Sequence, residues 1–139
     1  MLIVGSAAVL IAPLTAAGPR LDGATKRERL LVAWPLGLLA GWLTIASAVN
    51  ILTVLSGNGQ LPAFLPGPAW ALAAVGAVVA IALGVLARTR LLAYPVPVVW
   101  GLAGVFGAEQ GRNPDLAWTA AGAAALLFVA GLWLAFRRR

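Results

Sequence analysis

Apolar and polar positions alternate along this chain in long blocks. There is neither the strict two-residue alternation of a half-buried strand nor the apolar stripe of a soluble amphipathic helix. Five stretches, roughly 2–17, 30–55, 69–87, 91–107 and 116–136, contain no Asp, Glu, Lys, Arg or His. About 20 mostly apolar residues suffice for one helical crossing of a bilayer. The pattern therefore predicts an all-α fold, a polytopic membrane helix bundle of five transmembrane helices forming one transmembrane domain over residues 1–139. The first stretch is short, and the second is long enough to tilt.

The polar segments assign a direction. Arg20, Lys26, Arg27 and Arg29 precede the second stretch, Arg88 and Arg90 follow the third, and Arg137, Arg138 and Arg139 close the chain. On alternating spans all nine fall on one side, and Arg112 alone falls on the other. Basic loops stay in the cytoplasm, so the expected topology is N-out/C-in, multi-pass, in a cell inner (cytoplasmic) membrane. A cleaved signal peptide is the alternative for the first stretch, which ends in Ala16-Ala17-Gly18. It lacks the positive N-terminal region of such a peptide, so a retained span is expected.

Composition narrows the chemistry. Of the 139 residues, 62% are hydrophobic and 10% charged, against about 25% charged in ordinary soluble domains. With no Cys and no His, there is no disulfide, thiolate nucleophile, Cys/His zinc site or axial-His haem. The formal charge of +6 reads as membrane orientation and contact with anionic headgroups, and not as nucleic-acid binding. The spans hold no titratable group for a proton relay or for acid–base catalysis. No catalytic or metal-binding residue is assigned, and the expected partner is the lipid bilayer. Glu109 and Asp115, which flank Arg112, read as solvated surface charge.

Small residues recur at helix-packing spacing: Gly37-x3-Gly41, Gly76-x3-Ala80-x3-Gly84, then Gly101, Gly104 and Gly107, and a cluster from Ala120 to Ala125. They serve generic close packing or a dedicated homo-oligomer face. Pro95 and Pro97 either open the fourth helix or kink it. A helix start is favoured, because a first-turn proline forfeits no hydrogen bond.

Trp34 and Trp133 fall near one membrane interface, and Trp70 and Trp118 near the other. Trp42 and Trp100 lie about midway along their spans. Each is either a packed bundle Trp bonded to a carbonyl or the wall of a pocket for a flat apolar ligand. Trp42, Ala46, Asn50 and Thr53 share one helix face, which is expected to point into the bundle because an amide avoids lipid. Asn50 there either ties two helices together or meets a ligand.

The segment Trp42-Leu-Thr44-Ile-Ala46-Ser-Ala-Val-Asn50, after Trp34-Pro35, resembles the last conserved helix of the TspO/MBR (translocator protein/tryptophan-rich sensory protein) family. That helix carries a Trp-x-Thr-x-Ala-x3-Asn pattern. The close likeness covers Arg29 to Asn50, and a looser one, through Arg88-Thr-Arg90 and Tyr94 to Trp100, extends to the fourth stretch. In the family the motif lies on the fifth helix and here on the second. The resemblance thus implies a chain that starts at the family's fourth helix.

The resemblance also implies a binding or sensory protein for a porphyrin, another tetrapyrrole or a sterol-like ligand. It carries over Trp42, Thr44, Ala46 and Asn50, to which the mid-span position adds Trp100. Arg90-x3-Tyr94-x-Val96 also fits an inverted cholesterol-contact pattern. The alternative function is that of a small accessory subunit in a larger membrane complex, energy-converting or pigment-binding.

Overall fold

The computed structural model describes residues 2–16 and 25–137, which fold as five helices with no strand among them. They are α1 (Leu2–Ala16), α2 (Lys26–Gly57), α3 (Gly67–Thr89), α4 (Pro95–Glu109) and α5 (Pro114–Phe136). Arg20, Arg138, Arg139 and the junction Ala17-Gly18 lie outside the described residues. The five apolar stretches thus become five helices, with ends a few residues from those expected.

Helices α2, α3 and α5 are 32, 23 and 23 residues long, long and apolar enough to cross a bilayer by length and composition. At about 1.5 Å per residue, a 23-residue helix exceeds the ~30 Å hydrocarbon core. Helices α1 and α4 have 15 residues each and belong to a shorter, equally apolar class.

Local chemistry sets the boundaries. Thr25 caps α2 in a capping box: Glu28 N–H donates to Thr25 Oγ1 at 3.3 Å, and Thr25 N–H donates to Glu28 Oε2 at 2.8 Å. A five-residue π turn, Arg29–Ala33, follows immediately, with Trp34 N–H reaching back to the Arg29 carbonyl. Pro35 lies just beyond. Its ring brings no N–H and crowds the carbonyl one turn back, and a widened turn relieves both problems.

Pro68 stands in the first turn of α3. That helix ends through Arg90 in the left-handed conformation (φ 50°), with Thr89 Oγ1 accepting from Leu91 N–H at 3.2 Å. Helix α4 begins at Pro95 itself, so the prolines open it without a kink, and Leu91–Tyr94 form the preceding turn. Asn113 caps α5, its Oδ1 accepting from Leu116 N–H at 3.4 Å.

Small residues decide the packing. A Cβ on Gly37 would meet Leu91 and Ala93, one on Gly41 would overlap the Tyr94 carbonyl, and one on Gly101 would press into Ile45. Gly37 and Gly41 are therefore the face on which α4 and its entry turn sit, and α2 and α4 run parallel. At the other side of α4, Gly131 near the end of α5 meets Leu92, while Phe106 near the end of α4 meets Trp118 near the start of α5. These two helices run antiparallel. Helix α1 packs mainly on α2, and α3 on α5 and α2.

This arrangement gathers the start of α2, the end of α3, the start of α4 and the end of α5 at one end of the bundle. Of the seven described basic residues, Lys26, Arg27, Arg29, Arg88, Arg90 and Arg137 are at that end, and Arg112 is at the other. Large apolar side chains such as Val9, Leu31, Phe128 and Val129 cover the outside. Such a surface suits lipid, and is far beyond what a soluble monomer exposes.

Candidate functional site

Of the sequence-derived face on α2, Trp42, Ala46 and Asn50 do not point inward, while Thr53 borders a cavity between helices. Trp42 is 51% exposed and Asn50 is exposed, with Ala46 half-buried beside them. Helix α2 instead buries Gly37, Ala40, Gly41, Thr44, Ile45 and Ser47. The expectation rested on the cost of an amide in lipid. Asn50 meets part of that cost within its own helix, Nδ2 donating to the Ala46 carbonyl at 3.1 Å. Close approach at glycine then orients the helix, and the bulky Trp42 goes to the outside. The stripe Gly37, Ala40, Gly41, Thr44 was the usable sequence signal, because membrane helices meet at small residues.

Thr44 is buried at the α2–α4 contact. Its hydroxyl donates to the Ala40 carbonyl at 2.8 Å and lies 2.7 Å from the Tyr94 hydroxyl. A hydroxyl has one hydrogen. Once it goes to Ala40, Tyr94 becomes the donor to Thr44 Oγ1. Tyr94 is fully buried, so the ring of the Arg90-x3-Tyr94-x-Val96 pattern does not face lipid. Tyr94 is the chain's single tyrosine, a partner for Thr44 that the motif alone did not indicate.

Trp100 is 74% exposed on α4 and forms one wall of a groove between α4 and α5. The groove has a volume of about 410 Å³ and opens sideways from the bundle. Phe128 and Leu132 of α5 face it across the gap, and Pro95 and Val99 complete the α4 side. Apart from the indole N–H of Trp100, no charged or hydrogen-bonding side chain lines it. The volume lies in the usual range of roughly 300–1,000 Å³ for small-ligand sites. Trp42, Thr44, Ala46 and Asn50 are not among its walls, so the five candidate residues divide between the α2 surface, the α2–α4 contact and this groove.

A second cavity, about 250 Å³, lies between α2, α3 and α4 at the end opposite the basic residues, with Leu116 of α5 at its edge. Thr53 and Glu109 are its polar walls among apolar ones such as Leu52, Val78 and Val105. Glu109 is half-buried there, where a solvated surface charge was expected. Three of the four tryptophans expected at the interfaces have partners near the helix ends. Trp70 donates its indole N–H to the Pro62 carbonyl at 3.1 Å, Trp118 makes an edge contact with Phe106, and Arg137 lies 3.8 Å over Trp133. Trp34 is half-exposed at the start of the apolar part of α2.

An all-helical bundle with an apolar exterior, interfacial Trp residues and a laterally open aromatic groove defines a multi-pass membrane protein with ligand-sized cavities. The chain belongs to the TSPO-like protein family, with a match over residues 1–133. The match begins at residue 1 and takes in α1 and most of α5, so it is wider than the Trp42–Asn50 motif on which the resemblance rests. No curated protein and no solved structure gives a match.

Proposed function

We propose that this protein is a non-catalytic binding or sensory protein of TspO-like type that takes a flat hydrophobic ligand, a tetrapyrrole or a sterol-like molecule, from the bilayer. The observation that carries this reading is the Trp100 groove. Two aromatic side chains, Trp100 and Phe128, line it from different helices, and its mouth faces sideways, where an apolar ligand is dissolved. Offset stacking on an indole rewards a planar ring system. In this reading Trp100 contacts the ligand, while Thr44 holds α4 in place through Tyr94. Trp42, Ala46 and Asn50 form a separate surface on α2.

The protein in phosphatidylcholine nanodiscs is titrated with protoporphyrin IX while Trp fluorescence is followed. Saturable quenching is expected, weakened at least tenfold in Trp100→Ala, a loss of about 1.4 kcal/mol. Quenching that survives Trp100→Ala but disappears in Trp42→Ala would move the ligand to the α2 surface. No saturable quenching would remove the reading.

The same bundle is taken to lie N-out/C-in as a single five-span domain in a bacterial inner membrane. The charge asymmetry supports this. The native chain has no Cys, so single cysteines at Ser56 and Arg137 report sidedness cleanly. A membrane-impermeant maleimide added to cells should label Ser56→Cys and spare Arg137→Cys, and the reverse labelling would invert the topology.

One observation favours the second reading, an accessory subunit or homo-oligomer. Ala73, Gly76, Ala77 and Ala80 lie exposed along α3, and a Cβ on Gly76 or Gly84 would meet nothing. Faces of this kind bring membrane helices together. Native mass spectrometry from a gentle detergent decides it, and a clean monomer without partners would sink it.

A further inference from the structure

The 250 Å³ cavity opposite the basic end is distinct from the Trp100 groove and carries different chemistry. Its walls are apolar except at Thr53 and Glu109. Among the described residues the Glu109 carboxylate has neither a hydrogen bond nor an ion pair, and Arg112, three residues on, does not reach it. A half-buried carboxylate with no partner in the chain gains a charge-assisted hydrogen bond when a cation arrives. Glu109 is also the last residue of α4, where the helix dipole adds negative potential. The starts of α3 and α5 oppose that potential at the same end, and no basic side chain lines the cavity.

We propose that this cavity binds a single-chain primary alkylamine, with its ammonium on Glu109 and its hydrocarbon chain among Leu52, Ala74, Val78 and Val105. An ammonium has three donors and no acceptor, so it satisfies the carboxylate and has a donor left for the Thr53 hydroxyl. The volume suits one short chain and excludes the paired tails of a phospholipid. A lipid amine therefore enters by its headgroup alone, whereas a free amine enters whole.

The probe is radiolabelled n-octylamine, measured as saturable binding above protein-free phosphatidylcholine nanodiscs, with n-octanol and octanoate as companions. Octylamine should bind saturably, octanol about tenfold more weakly, and octanoate not at all. Glu109→Gln should weaken octylamine about tenfold without affecting octanol. Ala74→Phe, which fills the cavity, should abolish both. Each variant is checked by circular dichroism and its unfolding midpoint.

Equal affinity for octylamine and octanol, or octylamine binding unchanged in Glu109→Gln, overturns the proposal, as does the absence of saturable octylamine binding. Nanodiscs containing phosphatidylethanolamine separate the two sources of the ammonium. Competition there supports ammonium recognition with the headgroup as source, and its absence supports it with the free amine as source.

Discussion

Tyr94 and Thr44 are joined by a 2.7 Å hydrogen bond between two buried hydroxyls, one in the turn that launches α4 and one on α2. The bond continues to the Ala40 carbonyl. It ties the entry of a short, proline-initiated helix to the middle of the longest one, at a point where Gly41 has already removed any intervening side chain.

Tyr94→Phe and Thr44→Val each break this link while preserving shape. Each should lower stability, and their coupling in a double-mutant cycle should be about 1 kcal/mol. Unfolding in mixed micelles with increasing dodecyl sulfate measures it. Strict additivity of the two changes would show that the hydroxyls do not interact.

Glycines in this bundle divide into two kinds. Gly41→Ala drives a methyl into the Tyr94 carbonyl and should cost about 1–3 kcal/mol. Gly76→Ala meets nothing within the chain and should be neutral or stabilising by up to about 1 kcal/mol. A large loss at Gly76, seen only where the protein is oligomeric, would instead mark α3 as an interface.

Ser47 is buried with its Oγ unpartnered among the described residues. Ser47→Ala removes a desolvated hydroxyl and should raise stability by about 1 kcal/mol. The same detergent titration reads this, and a decrease would mean that the hydroxyl is satisfied in the membrane.

Glu28 lies outside the apolar span, and the Thr25 amide and hydroxyl hold its carboxyl below the ordinary glutamate value. A depressed folded value means that the capping box contributes fully above the unfolded value of about 4.3. The contribution declines as pH falls through the folded value and is gone below it. Thr25→Ala should flatten this acid limb of the unfolding midpoint, and an unchanged limb would assign it to another carboxylate.

The helices were legible because uncharged runs of membrane length have few alternatives to helix, and Pro95 and Pro97 marked a start. The Gly37/Gly41 contact was legible as spacing, but not its partner, since similar spacings occur on α3 and at the end of α4 without any neighbour. The orientation of α2 was misread because polarity was given priority over shape. Within lipid an Asn that bonds its own backbone tolerates the outside, whereas a glycine that admits a carbonyl has one place to go. Glu109 is half-buried for a related reason: its position in sequence is terminal, but α2 and α3 rise beside it and a cavity opens next to it.

The π turn at Arg29–Ala33 has a mechanical consequence. One residue of an α-helix corresponds to about 100° of rotation, and the wide turn absorbs that rotation between the basic cap and the packed span. Removing one residue, Val32 for example, would let the turn close as ordinary α-helix. Because the wide turn spends one extra residue on a single revolution, losing both together would leave Lys26 and Arg27 on the same side of the axis relative to the docked Gly37–Gly41 face. Such a deletion should leave both the unfolding midpoint and the depth of a spin label on Lys26 near those of the parent, and a large change in that depth would show that the turn does not close as ordinary α-helix. Chain length at the membrane surface and register inside the bundle are thereby uncoupled.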